Sequence, residues 1–260
     1  MIKEFFGFGG YSRAAEGFLS WQHLTFVTLL TAIMVALAVY LGNKNKAADE
    51  RKKNKILVSA AIMIDSFELF KIIILCIRSG SLSVWLYELP LFLCSIQLIT
   101  LPLAAFSKGR LKEAALDFVM IFGIVGAILG TYGAGNNYSV YPVLGVDNVI
   151  SGITHCISGF ASLYIMISGM ASMKKRNMPI SFAILTSFCA LAYPANLILD
   201  YNYMFLMRGD GTPYEIIYAL VGDNPILYPI SVVLLFFVYM SIFYLAYYLI
   251  SKPRKTKNSL

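Results

Sequence analysis

Charged residues are scarce in this sequence: 13% of 260 residues, against 58% hydrophobic, at a mean hydropathy of +0.71. Soluble domains carry roughly 25% charged residues. The balance excludes a soluble enzyme, a disordered tail and a nucleic-acid-binding module, so no nucleic-acid partner is expected. Cysteine is sparse too. Cys76, Cys94, Cys156 and Cys189 all fall within apolar runs, with no CxxC pair and no regular spacing. That leaves neither a disulfide framework nor a zinc site, and no metal or other cofactor is expected. Histidine occurs only twice, as His23 and His155.

Long apolar runs stand in place of charge. A helix needs about 20 mostly apolar residues to cross a bilayer. Seven stretches meet that test, at approximately 23–42, 56–77, 86–106, 115–133, 150–172, 179–201 and 227–250. Residues 1–260 therefore read as a single seven-helix transmembrane domain, an all-α polytopic protein expected in the cell membrane. The first 22 residues contain Lys3, Glu4, Arg13 and Glu16 and lack a small-residue cleavage site, unlike a signal peptide.

Loop charge predicts the orientation. With the N-terminus outside, the inside loops and tail hold sixteen of the 21 Lys and Arg residues. They form four clusters, around Lys44–Lys55, Lys108–Lys112, Lys174–Arg176 and Lys252–Lys257. Only Lys3, Arg13, Arg78 and Arg208 fall outside, and Lys71 lies within a span. Cytoplasmic loops carry such an excess of cations, which predicts the N-terminus outside and the C-terminus inside.

Polar groups within spans are costly in hydrocarbon and face the interior of the bundle. The second span carries Asp65, Glu68 and Lys71 at successive i, i+3 positions, which reads as an internally neutralised triad with Glu68 nearest to a site. In the third span, Cys94 and Gln97 share a face. Pro90 and Pro102 free the carbonyls of Leu86 and Leu98, which neighbouring groups must satisfy. Gly126 and Gly130 in the fourth span have the GxxxG spacing of a close-packing face. The fifth places Ser151, His155, Ser158 and Ser162 on one narrow stripe, and the sixth repeats it with Cys189, Tyr193, Asn196 and Asp200. At 1.5 Å rise per residue, Cys94, His155, Glu68 and Asn196 all come out about 8–13 Å below the outer end of their spans. His23 is at an outer helix end. A shared level predicts one cavity, open to the outside.

A thiol and an imidazole at one level can act as nucleophile and base: the imidazole takes the thiol proton and the thiolate attacks an acyl carbonyl. Asn196, Asp200 or Glu68 could fix the imidazole tautomer, and Gln97 could donate to an oxyanion. The same cavity could instead hold a small polar solute, with the span-two carboxylates coupling its binding or transport to protons or cations.

The segment Leu89-Pro90-Leu91-Phe92-Leu93-Cys94, followed by His155 and by Asn202-Tyr203-Met204-Phe205-Leu206 after the sixth span, resembles the bacterial YwaF-type integral membrane proteins. Those have seven spans with an LPLxLC motif, a span-five histidine and an NYMxL segment, and His23 also fits their pattern. They are similar to a eukaryotic acyltransferase that builds polyunsaturated ether phospholipids through a cysteine, and more remotely to androgen-induced membrane hydrolases. The resemblance implies Cys94 as nucleophile and His155 as base or partner, with a membrane lipid as substrate, and Asn202 is expected to line the cavity. One departure is Phe92, where the family pattern leads us to expect a polar residue.

Overall fold

The computed structural model describes residues 2–171 and 173–251, so the tail cations counted above, Lys252 to Lys257, lie outside the described residues. Among the described residues there are ten α-helices and no strand. The first five are α1 (Ile2–Phe6), α2 (Trp21–Asn45), α3 (Glu50–Ser79), α4 (Gln97–Phe106) and α5 (Gly109–Thr131). The rest are α6 (Gly135–Val140), α7 (Val146–Ile167), α8 (Met178–Leu199), α9 (Glu215–Val221) and α10 (Leu227–Ser251).

Five segments are long and apolar enough to cross a membrane: Trp21–Asn45, Gly109–Val140, Val146–Ile167, Lys175–Leu199 and Leu227–Ile250. They overlap the expected first, fourth, fifth, sixth and seventh spans. Helix α3 is long enough, at 30 residues, but Asp65, Glu68 and Lys71 interrupt its apolar run. Its ends are set locally. The Asp49 carboxylate accepts from the Lys52 N–H at 2.7 Å, and Gly80 takes the left-handed conformation that ends the helix.

The expected span 86–106 is not one helix. A 3₁₀ segment, Leu82–Tyr87, leads into irregular backbone over residues 88–96, and only the last ten residues form α4. Pro90 supplies the physical reason, since it has no N–H and pushes the residue before it out of the α region. The carbonyl of Leu86 is satisfied from elsewhere, by the Tyr203 hydroxyl at 2.6 Å. The far end of α4 returns to the start of α3, where the Asn54 amide donates to the Ala105 carbonyl at 2.8 Å.

Helix α5 runs through the middle, packed by α4, α7 and α8, with residues 114–123 buried on every face. Small residues let its neighbours close in. The Ser162 hydroxyl of α7 donates to the Met120 carbonyl at 2.6 Å, and Ser158 reaches the Gly123 carbonyl at 3.5 Å. At the end of the bundle where α3 stops and α7 begins, Arg78 forms a two-pronged ion pair with Asp147, both contacts 2.7 Å. The N-terminal segment lies over this pair: the Tyr11 hydroxyl donates to Asp147 at 2.6 Å, and Phe5, Phe6 and Phe8 pack near Ile74, Val146 and Ile150. Burial, with the Asp147 carboxylate beside it, pushes the Tyr11 phenol well above its ordinary range, so it stays a donor.

Candidate active site

A cavity of about 370 Å³ opens at that same end of the bundle, between α3, the irregular segment 88–96, α7 and the start of the loop after α8. Its wall includes Glu68, Cys94 and His155 from the sequence-derived set.

Cys94 stands on the turn that leads into α4. The Ile96 N–H donates to the Phe92 carbonyl at 2.9 Å, and the Phe92 N–H donates back to the Ser95 hydroxyl at 3.0 Å. These bonds close a turn over residues 93–96 that leads into α4, and Cys94 stands on that turn. The N–H groups of Cys94 and Ser95 turn toward the Cys94 thiol, and the Leu93 N–H has no backbone acceptor among the described residues. Both Cys94 and Ser95 line the cavity.

His155 comes from α7, one turn below Ser151, which also lines the cavity. Neither ring nitrogen of His155 has a hydrogen-bond partner among the described residues. The rest of its stripe does something else: Ser158 and Ser162 fasten α7 to α5. The stripe therefore divides, its N-terminal half on the cavity and its C-terminal half on a helix seam.

Helix α5 packs against both Cys94 and His155. A Cβ built on Gly126 would touch the Cys94 Cβ and Cα at 3.3 and 3.4 Å. A Cβ on Gly130 would fall on the Nδ1, Cε1 and Nε2 atoms of His155. These glycines are one helical turn apart, about 6 Å along the axis. The spacing that reads in sequence as a packing face is also the common floor beneath Cys94 and His155.

The triad of α3 differs from expectation. The Lys71 ammonium meets Glu68 at 2.6 Å and Glu88 at 2.9 Å, and Asp65 takes no part. Asp65 is two helical steps away from Lys71, whereas Glu88 arrives from the irregular segment, which no helical spacing could reveal. One Asp65 oxygen is buried without a partner. Lys71, Glu68 and Glu88 all face the cavity.

Five residues expected at the site do not line it. His23 is fully buried at the start of α2, where its Nδ1 accepts from the Leu19 N–H and its Nε2 donates to the Thr131 carbonyl, both 3.1 Å. Both nitrogens are used, which fixes the tautomer and makes His23 a pin between α2 and α5. Gln97 is fully buried behind the cavity, its side-chain oxygen accepting from Thr100 at 3.1 Å and its amide nitrogen unpartnered. Asn196 clasps the backbone of Tyr203, accepting from its N–H at 2.6 Å and donating to its carbonyl at 3.0 Å. Asn202 holds its own loop through Arg208, Asp210 and Met207. Asp200 is exposed and ends α8 in the left-handed conformation, φ 49°. The second stripe is therefore structural, and the Pro194 turn of α8 does not bring it to the cavity.

That structural group still bears on Cys94. Asn196 fixes Tyr203, whose hydroxyl holds Leu86 and whose ring lies 5.1 Å from that of Phe92. Phe92 also meets the rings of Tyr201 and Phe205. An aromatic residue at position 92 thus braces the backbone that presents Cys94, in place of the expected polar side chain. Residues missed by the sequence reading, notably Tyr201, Tyr141, Asn137 and Asp147, reach the cavity from loops or helix ends, outside any periodic signal. Among the described residues no group of three His, Cys, Asp or Glu side chains is placed to hold a metal ion.

A family model described as the TMEM164 family matches residues 18–247. No curated protein and no solved structure matches the chain.

Proposed function

The chain belongs to the TMEM164 family, and from that premise and the cavity geometry we propose a membrane-embedded acyltransferase or lipid hydrolase that works through Cys94 and His155. The observation that carries this reading is that Cys94 and His155 lie against adjacent turns of α5 and both line one polar cavity. The His155 imidazole takes the Cys94 proton, and the thiolate attacks the carbonyl of a lipid acyl ester. The oxyanion that forms is met by the N–H groups of Cys94 and Ser95, which face the reacting sulfur, rather than by Gln97. Collapse of that intermediate breaks the ester bond, and the leaving alcohol takes the proton from the imidazolium. The thioester left on Cys94 is then attacked by a second hydroxyl, from water or a lysolipid, which His155 deprotonates in turn.

Seven crossings in a cell membrane suit this reading. Helix α3 would span 30 residues, about 45 Å, and residues 82–106 would cross as a broken element whose helical part is only α4. Irregular backbone is tolerated at membrane depth where it lines a cavity, as residues 88–96 do. The cation-rich ends of α2, α3, α5 and α8 would then lie inside and the cavity would open outward, to lipid of the outer leaflet.

Turnover of labelled phospholipid and lysophospholipid in proteoliposomes tests the proposal. We expect acyl release or transfer by the wild type, and a drop of about 100-fold or more in folded Cys94→Ala and His155→Ala. Turnover that survives Cys94→Ala would overturn it.

A second reading draws on Glu68, Lys71 and Glu88, whose ion pairs line the same cavity. It makes the protein a binder or carrier of a small polar solute. In that case Glu68→Gln would abolish solute-dependent thermal stabilisation and Cys94→Ala would leave it intact.

A further inference from the structure

Glycine at position 130 has no conformational reason of its own, because it sits within the regular helix α5, where glycine is about 1 kcal/mol less favourable than alanine. What it provides is room. Its missing Cβ would coincide with the nitrogen-bearing side of the His155 imidazole, and no other group comes as near to that point. Gly126 leaves a less crowded space, in which a Cβ would press on Cys94 at 3.3 Å, slightly inside ordinary contact. Gly123, a further turn inward, faces the carbonyl of Ser158 and the Ser162 side chain, away from the cavity.

We infer that Gly130 is a positioning residue: the bare backbone of α5 at this point seats the His155 imidazole and thereby sets its reach to Cys94. The inference rests on the Cys94/His155 reading and adds to it the element that fixes the geometry. An imidazole is a planar ring on two rotatable bonds, and its nitrogen must point at the thiol within a few tenths of an ångström for proton transfer. A flat, side-chain-free surface on one side lets the ring lie down and limits its rotation. A methyl group there must displace the ring, since the Cβ position itself cannot move on a helix.

The test uses the full chain in liposomes with Cys94 as its only cysteine, the other three replaced by alanine. The readout is the rate of alkylation by iodoacetamide across pH 5.5–9, which reports the thiolate supplied by the imidazole. Thermal unfolding is followed in parallel. Gly130→Ala is expected to slow alkylation at neutral pH by about tenfold and to reduce the pH profile to that of an unassisted thiol, as His155→Ala does. In the His155→Ala background, Gly130→Ala is expected to have no further effect, because the two changes remove one interaction. An equal slowing in both backgrounds would overturn the inference, and so would a Gly130→Ala profile like that of the wild type.

Folding gives a second arm. If Gly130→Ala alone does not fold, Gly130→Ala/His155→Ala should, since the ring it would strike is gone; failure of both to fold would overturn the inference. The underlying reading fails separately, when His155→Ala itself leaves alkylation and lipid turnover unchanged.

Discussion

At the scale of single residues, polar side chains within the spans divide by whether their hydrogen-bonding capacity is used up. His23, with both ring nitrogens engaged, and Asn196, with both ends of its amide on Tyr203, are structural. His155 has neither nitrogen engaged within the described residues, and it faces the cavity. Residue type and helical spacing could not separate these cases, because each partner is a backbone group brought from elsewhere in the fold. Asn196→Ala would strand the buried N–H and carbonyl of Tyr203, at a cost of about 2–4 kcal/mol. The expected result is a clear fall in the thermal unfolding midpoint in detergent, together with weaker lipid turnover as the brace on Phe92 loosens. An unchanged midpoint would show that the clasp contributes nothing.

The elements carry a different lesson. Hydrophobic run length locates α2, α5, α7, α8 and α10 within a few residues, because each needs only local apolar continuity. It fails at residues 86–106, where a proline breaks the helix, the distant Tyr203 hydroxyl takes the Leu86 carbonyl and the nearby Ser95 hydroxyl takes the Phe92 N–H. Pro90 shows in sequence that the Leu86 carbonyl is freed, but no local signal shows that α4 begins only at Gln97. The join between α3 and α7 was equally hidden, since Arg78 and Asp147 are 69 positions apart. Arg78→Ala leaves a carboxylate that is 8% exposed facing only Tyr11. For a pair this little exposed the expected loss is about 3 kcal/mol. Arg78→Ala/Asp147→Asn should recover much of it, and thermal unfolding of the two variants beside the wild type measures both. Equal losses in the single and double variants would mean that the pair does not couple the helices.

Over the whole molecule, charge bias and apolar runs made the membrane class and the helical fold legible, while the site was legible only in part. Cys94, His155 and Glu68 meet at one cavity as their common depth suggests. Asn196 shares that depth but looks away, because depth fixes height along a helix and says nothing about azimuth once a proline has turned it. The proposed topology has its own check, in a chain freed of its native cysteines. Asp223→Cys, at the cavity end, should be labelled in intact cells by a membrane-impermeant maleimide, and Lys52→Cys only after permeabilisation. The reverse pattern would invert the protein. The proposal that Cys94 is the nucleophile meets its most direct test in intact mass spectrometry of the wild type, acid-quenched during turnover of a phospholipid. The account predicts a mass increase of one acyl chain, mapped to Cys94, released by hydroxylamine and absent from Cys94→Ala. An acyl group carried by any other residue, or full turnover by Cys94→Ala, would contradict it.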